Sequence, residues 1–300
     1  MNDTNKTTNR IGFLLPFFYI TAPAMASLRS VACVKDMAET GYFNNYSLIT
    51  ISNIALAILA IIFSTHAFSH NRKDSVPKES FCNPPTYIAS ALLAVGISFA
   101  IYELVISLMD ENGQIKEIAS SDIIVIISSA LGVASLLFLL LNAIIEAHHS
   151  QIRAALGIAT SLFFSTYSVC IYFDNSTSVN MQQRILNIIS LALMAIFMLY
   201  ETRIPLGHSK WHSYVAFGFV AALLLSYTSI PAIVYYIVNR TVIPGATIIQ
   251  ICLSLASAIY AITRISIIAF APEDETCDLV DSILDIAHLR KQKSSSRARK

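Results

Sequence analysis

Two charged residues lie inside long apolar runs of the sequence. Glu103 stands within 101–105 and Arg264 within 261–268, and the neighbours of both are mostly Ile, Leu, Val and Ala. Placing one ionisable side chain in a bilayer costs about 2.5 to 3.5 kcal/mol on insertion scales, so such a residue is paired or functional. Two roles stay open for Glu103. It is either a protonatable or cation-binding carboxylate in a cavity, or a protonated acid that ties helices together.

The depth of each charge selects its candidate partners. Glu103 lies roughly 9 Å below one membrane face, at about 1.5 Å per helical residue, and Arg264 lies at a similar depth below the other face. Because the hydrocarbon core is about 30 Å thick, a direct pair between them is not expected. The polar residues at the depth of Glu103 are Tyr167, Ser226, Tyr227 and Thr228. The inner-face acids and bases near Arg264 are Glu146, Glu201 and Arg203.

Four histidines have the spacing of metal ligands. His66 and His70, and likewise His208 and His212, are four residues apart, so both rings of each pair share one helix face. Imidazole nitrogens in this arrangement bind zinc. The four therefore predict a metal site if the two pairs converge, and the alternative is that they are ordinary interfacial residues near loops.

The composition indicates a membrane protein. Of 300 residues, 55% are hydrophobic and 13% charged, and the mean hydropathy is +0.62, whereas soluble domains are about 25% charged. Apolar runs of the length that crosses about 30 Å of hydrocarbon recur along the chain, without the alternation of barrel strands. We predict an all-α integral membrane protein, a polytopic bundle of about eight transmembrane helices. The predicted spans are roughly 11–28, 47–69, 86–109, 122–145, 154–173, 183–200, 212–238 and 246–270.

The first span has two interpretations. Lys6 and Arg10, the apolar run after them, and the small residues Ala22, Ala24 and Ala26 also match a signal peptide with an A-x-A cleavage site. Cleavage would leave seven spans instead of eight. Both interpretations place the following loop outside.

The positive residues predict the orientation of the spans. Of the 20 Lys and Arg residues, Arg264 lies within a span, five fall on one side, and the remaining fourteen share the side of both termini. Since cytoplasmic loops carry the excess of Lys and Arg, both termini are expected in the cytoplasm and the protein in a cell membrane. The five on the other side are Arg29, Lys35, Lys116, Arg184 and Arg240.

The composition changes after the last span, so we divide the chain into a transmembrane domain (1–271), an amphipathic helix (272–293) and a basic disordered tail (294–300). The helix begins with acids, ends with bases and carries an apolar stripe, as expected on the cytoplasmic membrane face. Each Lys or Arg near an anionic surface is worth about 1 kcal/mol, which predicts contact between the tail and anionic lipid headgroups.

The remaining observations narrow the function classes. A net charge of +1 gives no drive toward nucleic acid. The sequence contains no H-E-x-x-H, G-x-S-x-G or phosphate-binding glycine motif, which favours a non-enzymatic protein without a cofactor. We expect a small-solute or ion permease that uses Glu103. The alternative is a sensory or scaffolding subunit that acts through its cytoplasmic tail on a membrane or cytoplasmic protein partner.

We expect a C-terminal reporter that is active only in the cytoplasm to be active, because fourteen positive residues share that side. A reporter that is active only outside should be inactive at the same position. The reverse pair of results would contradict the predicted orientation.

Overall fold

The computed structural model describes residues 4–38, 40–68, 84–109, 122–144, 150–174, 178, 180–204 and 211–270. This part of the chain forms the helices α1 (Thr4–Asp36), α2 (Tyr46–Phe68), α3 (Pro84–Ser107), α4 (Asp122–Ile144), α5 (Ser150–Phe173), α6 (Gln182–Glu201), α7 (Trp211–Asn239) and α8 (Ile248–Phe270). All eight are long and apolar enough to cross a membrane. Within the described ranges no β-strand forms, and one isolated bridge joins Met37 to Phe43. The predicted all-α multi-pass membrane bundle is confirmed.

The helix bounds agree with the predicted spans within a few residues, except for α1. We predicted this span to end at 28, and the helix continues to Asp36. Its last turns are buried, since Ala32 and Cys33 pack against Phe43 and Ile243 from two loops. Contacts with these loops, which a hydropathy profile does not detect, therefore extend α1 past its apolar run. As a result Arg29 lies within α1.

The bundle is organised around α7. This helix packs against α1, α2, α6 and α8, and 67% of its most apolar stretch is buried. Helices α3, α4, α5 and α6 pack in chain order, and α3 returns to α8. Because lipid is as apolar as a leucine core, helix association in a membrane depends on close packing and polar contacts.

Three aromatic rings hold α1 and α2 on α7. The rings of Phe63 and Phe219 stack with centroids 5.2 Å apart, and Phe18 lies 5.6 Å from Phe63 and 5.4 Å from Phe219. All three side chains are buried. In the described chain α1 is thus a full member of the bundle, and cleavage near Ala24 or Ala26 would remove Phe18 from this contact.

The two ends of the bundle are named here by their buried arginines. At the Arg29 end, odd-numbered helices finish and even-numbered helices begin; the opposite end is the Arg264 end. The loops after α1, α5 and α7 meet at the Arg29 end, where the hydroxyls of Tyr42 and Ser178 lie 3.1 Å apart. Gly41 has a φ of 82°, and a Cβ there would lie 2.9 Å from the Cβ of Pro244. Only glycine combines this backbone angle with this close approach.

The predicted amphipathic helix (272–293), the basic tail (294–300) and the boundary at 271 lie outside the described residues. They remain predictions from the sequence.

We expect Phe63→Ala to destabilise the protein by about 3 to 5 kcal/mol, because it opens a cavity among three helices. Phe99→Ala makes the same chemical change on a side chain that is 52% exposed on the membrane-facing surface, and should change stability little. Thermal unfolding in detergent measures both. Equal losses for the two variants would contradict the assigned core.

Candidate functional site

The Arg264 end contains a buried ion pair. Nε of Arg264 donates to Oε1 of Glu201 over 2.5 Å, and both side chains are fully buried. Glu201 is one of the two inner acids that the sequence offered to Arg264. The other, Glu146, lies outside the described residues. Arg203 is exposed and lies over the ring of Tyr200, with its Cζ 5.3 Å from the centroid.

The same carboxylate accepts two tyrosine hydroxyls. Tyr214 donates to Oε2 over 2.5 Å and Tyr260 to Oε1 over 3.2 Å. Nη1 of Arg264 lies 3.5 Å from Oγ1 of Thr86. Glu201 on α6 is thereby connected to α7, α8 and, through Arg264, α3. One carboxylate that accepts three donors from two other helices suits a structural connection.

Glu103 has one hydrogen-bond partner among the described residues. The hydroxyl of Tyr167 donates to its Oε2 over 2.7 Å, and the carboxylate is half-buried. This bond ties α3 to α5. Of the four predicted partners, Tyr167 meets Glu103, Tyr227 and Thr228 bond elsewhere, and Ser226 is half-buried on α7.

Five residues form a second buried polar group, which we call the Arg29 cluster: Arg29, Gln183, Asn187, Tyr227 and Thr228. Nη2 of Arg29 donates to Oε1 of Gln183 over 2.8 Å, and its Cζ lies 4.6 Å from the ring centroid of Tyr227. Nε2 of Gln183 donates to the Thr228 carbonyl over 3.1 Å and to Oδ1 of Asn187 over 3.3 Å. One carboxamide therefore joins α1, α6 and α7.

Several donors of the Arg29 cluster have no acceptor among the described residues. They are Nε and Nη1 of Arg29 and Nδ2 of Asn187, all buried. Leaving such a donor unsatisfied costs about 1 to 3 kcal/mol, and more when it is charged. The cluster also differs from the Arg264 end in charge, because there a carboxylate pairs with the arginine.

The hydroxyl of Tyr227 extends this polar region to α2. It donates to Oδ1 of Asn53 over 2.8 Å and lies 2.7 Å from Oγ of Ser52. Because the phenol has one proton, the Ser52 hydroxyl is the donor in the second bond. Asn53 also lines an apolar groove of about 580 Å³ between α2, α6 and α7.

The buried face of α6 connects the two ends. Gln183, Asn187, Ser190 and Glu201 are each at most 2% exposed, and their spacing places them along one side of the helix. Sequence reasoning overlooked Gln183 and Asn187. Their signal was this helical spacing of amides within an apolar run.

Arg184 has a structural role that the sequence did not reveal. It was counted with the outer loop cations, yet it is fully buried. Its guanidinium donates to the carbonyls of Ile171, Tyr172 and Asp174. A cation suits the negative end of a helix dipole, so Arg184 caps α5.

Two of the four candidate metal ligands can be placed. Nδ1 of His212 lies 3.1 Å from the carbonyl of Ala67, which follows His66 on α2. His70 and His208 lie outside the described residues. Among the residues that the structure describes, no three His, Cys, Asp or Glu side chains are grouped to hold a metal ion.

No protein-family model, curated protein or solved structure matches this chain. The function must therefore be inferred from its own residues.

We expect Glu201→Gln and Arg264→Met each to destabilise the protein by about 3 to 5 kcal/mol, because each removes one member of a buried ion pair. The double variant should recover much of this loss, since it leaves no charge behind. Thermal unfolding in detergent measures the coupling, and Arg203→Met at an exposed position is the control. Additive losses in the double variant would contradict the pairing.

Proposed function

We propose that the protein is a small-solute or ion permease of a cell membrane, with the solute bound by the Arg29 cluster. The observation that carries this proposal is the set of buried, unsatisfied donors on Arg29 and Asn187. Ionisable and polar groups inside transmembrane bundles commonly mark solute or ion pathways. The guanidinium of Arg264 pairs with the carboxylate of Glu201, whereas that of Arg29 bonds to a neutral carboxamide.

The buried face of α6 supports a path through the bundle. Its amides and Ser190 lead from the Arg29 end into the interior, and the ion pair of Glu201 and Arg264 stands toward the other end of the same helix. We propose that this pair closes the path at the Arg264 end. The loops that meet at the Arg29 end close it there.

This proposal moves the solute site away from Glu103. The Glu103 carboxylate accepts the hydroxyl of Tyr167, a contact that supports the structural role weighed for it above. The proposed orientation follows the Lys and Arg count, with the Arg29 end outside. The alternative, a sensory or scaffolding subunit, depends on 272–300, which lie outside the described residues.

Solute entry into proteoliposomes tests the permease. The probes are glycerol, potassium chloride with a potassium ionophore, and sodium gluconate with a protonophore, with entry followed by light scattering. We expect at least one probe to enter wild-type vesicles faster than protein-free vesicles. Asn187→Leu should slow that entry, by about tenfold when chloride is the probe that enters, since one hydrogen bond to a charged group is worth about 1.5 kcal/mol or more.

The matched control is Asn180→Leu, the same change at an exposed residue just before α6. It should retain wild-type entry. If none of the three probes enters faster than into protein-free vesicles, the permease proposal fails.

A further inference from the structure

The Arg29 cluster lacks a negative charge. Arg29 is fully buried, and a guanidinium keeps its charge in any protein environment. Its described contacts are the neutral carboxamide of Gln183, the ring of Tyr227 and the thiol of Cys33 one turn further along α1. Within the described ranges no carboxylate forms an ion pair with it, although Arg264 has Glu201. The charge of Arg29 is thus uncompensated by the chain that the structure describes.

The Arg29 cluster contains more hydrogen-bond donors than acceptors can satisfy. Oε1 of Gln183 accepts from Arg29, so its Nε2 faces Asn187 and donates to Oδ1 there. This orientation turns Nδ2 of Asn187 away as a free donor. Two nitrogens of Arg29, Nε and Nη1, and Nδ2 of Asn187 therefore offer protons, and no described group accepts them.

We infer that Arg29 and Asn187 bind a small inorganic anion, of which chloride is the simplest. Water could accept the free N–H groups but could not balance the guanidinium charge, and a buried charge is stable only when it is paired. A cation is disfavoured because the free groups are donors. Since Arg29, Gln183 and Asn187 are each at most 2% exposed, the site suits a small anion better than an organic one.

That the permease transports a small anion rests on the proposed function. That an anion binds at Arg29 and Asn187 does not. The apolar contact of Ala32 and Cys33 with Phe43 and Ile243 lies between the cluster and the end of α1. An anion at Arg29 is therefore covered on that side by protein.

The test is the thermal stability of the purified full chain in sodium chloride against sodium gluconate at equal ionic strength. A ligand that binds only the folded state raises the midpoint as its concentration exceeds Kd. We expect chloride, and not gluconate, to raise the wild-type midpoint in a saturable way. Equal midpoints in the two salts at every concentration would overturn the site.

Variants identify the residues that bind. Arg29→Met should abolish the difference between the chloride and gluconate midpoints. If the arginine were purely structural, the variant would lower both midpoints and keep their difference. Asn187→Leu should raise the half-stabilising chloride concentration about tenfold. Arg203→Met, at an exposed position, should retain the wild-type response. A chloride effect that persists unchanged in Arg29→Met would overturn the assignment.

If Arg29→Met does not fold, wild-type crystals grown in sodium bromide decide the question. An anomalous peak at hydrogen-bond distance from Arg29 and Asn187 supports the site, and a map without one there overturns it. The experiments also distinguish the permease proposal from the anion site. Chloride stabilisation without solute entry keeps the site and removes the permease, while chloride entry without stabilisation keeps the permease and removes the site.

Discussion

Inside hydrocarbon a carboxylate can be held only by groups that the protein supplies, and Glu201 shows how much structure this constraint organises. Its two oxygens accept Tyr214 from α7 and both Tyr260 and Arg264 from α8, while Arg264 reaches Thr86 on α3. Because lipid is as apolar as these helices, the hydrophobic effect does not favour one helix register over another. A sliding of any of them by one turn would leave a charge or a hydroxyl without its partner, so this carboxylate fixes their relative heights.

The buried arginines at the two ends of the bundle have different kinds of partner. Arg264 has a carboxylate within hydrogen-bond distance, and Arg29 has an amide and an aromatic face. A ring beneath a desolvated guanidinium is worth about 2 kcal/mol, and it leaves the net charge unchanged. One end is therefore electrostatically complete, whereas the other depends on something brought from outside the described chain. This asymmetry is the structural basis for placing solute chemistry at the Arg29 end.

The sequence predicted the helices well because each crosses the same hydrocarbon thickness, which an apolar run of about 20 residues records directly. Depth along a span also brought Glu201 into consideration for Arg264 and Tyr167 for Glu103. Arg29 and Arg184 were misplaced because both stand near span ends, where a hydropathy profile cannot separate a loop cation from a buried one. What places them inside is tertiary contact, namely the loops over the end of α1 and the carbonyls at the end of α5. Gln183 and Asn187 were overlooked because an amide is uncharged, and the sequence was searched for charged residues within apolar runs.

The central position of α7 has a consequence for biogenesis. Helices α1 and α2 pack mainly on α7 and on each other, yet α7 leaves the ribosome only after α3, α4, α5 and α6. At synthesis rates of about 5 to 20 residues per second, the first hairpin waits on the order of 10 seconds in the membrane before its main partner arrives. During that interval Phe18 and Phe63 lack their contact with Phe219, and the guanidinium of Arg29 lacks Gln183 and Tyr227. Docking of α1 and α2 on α7 is therefore expected late in assembly, although both helices are synthesised before it.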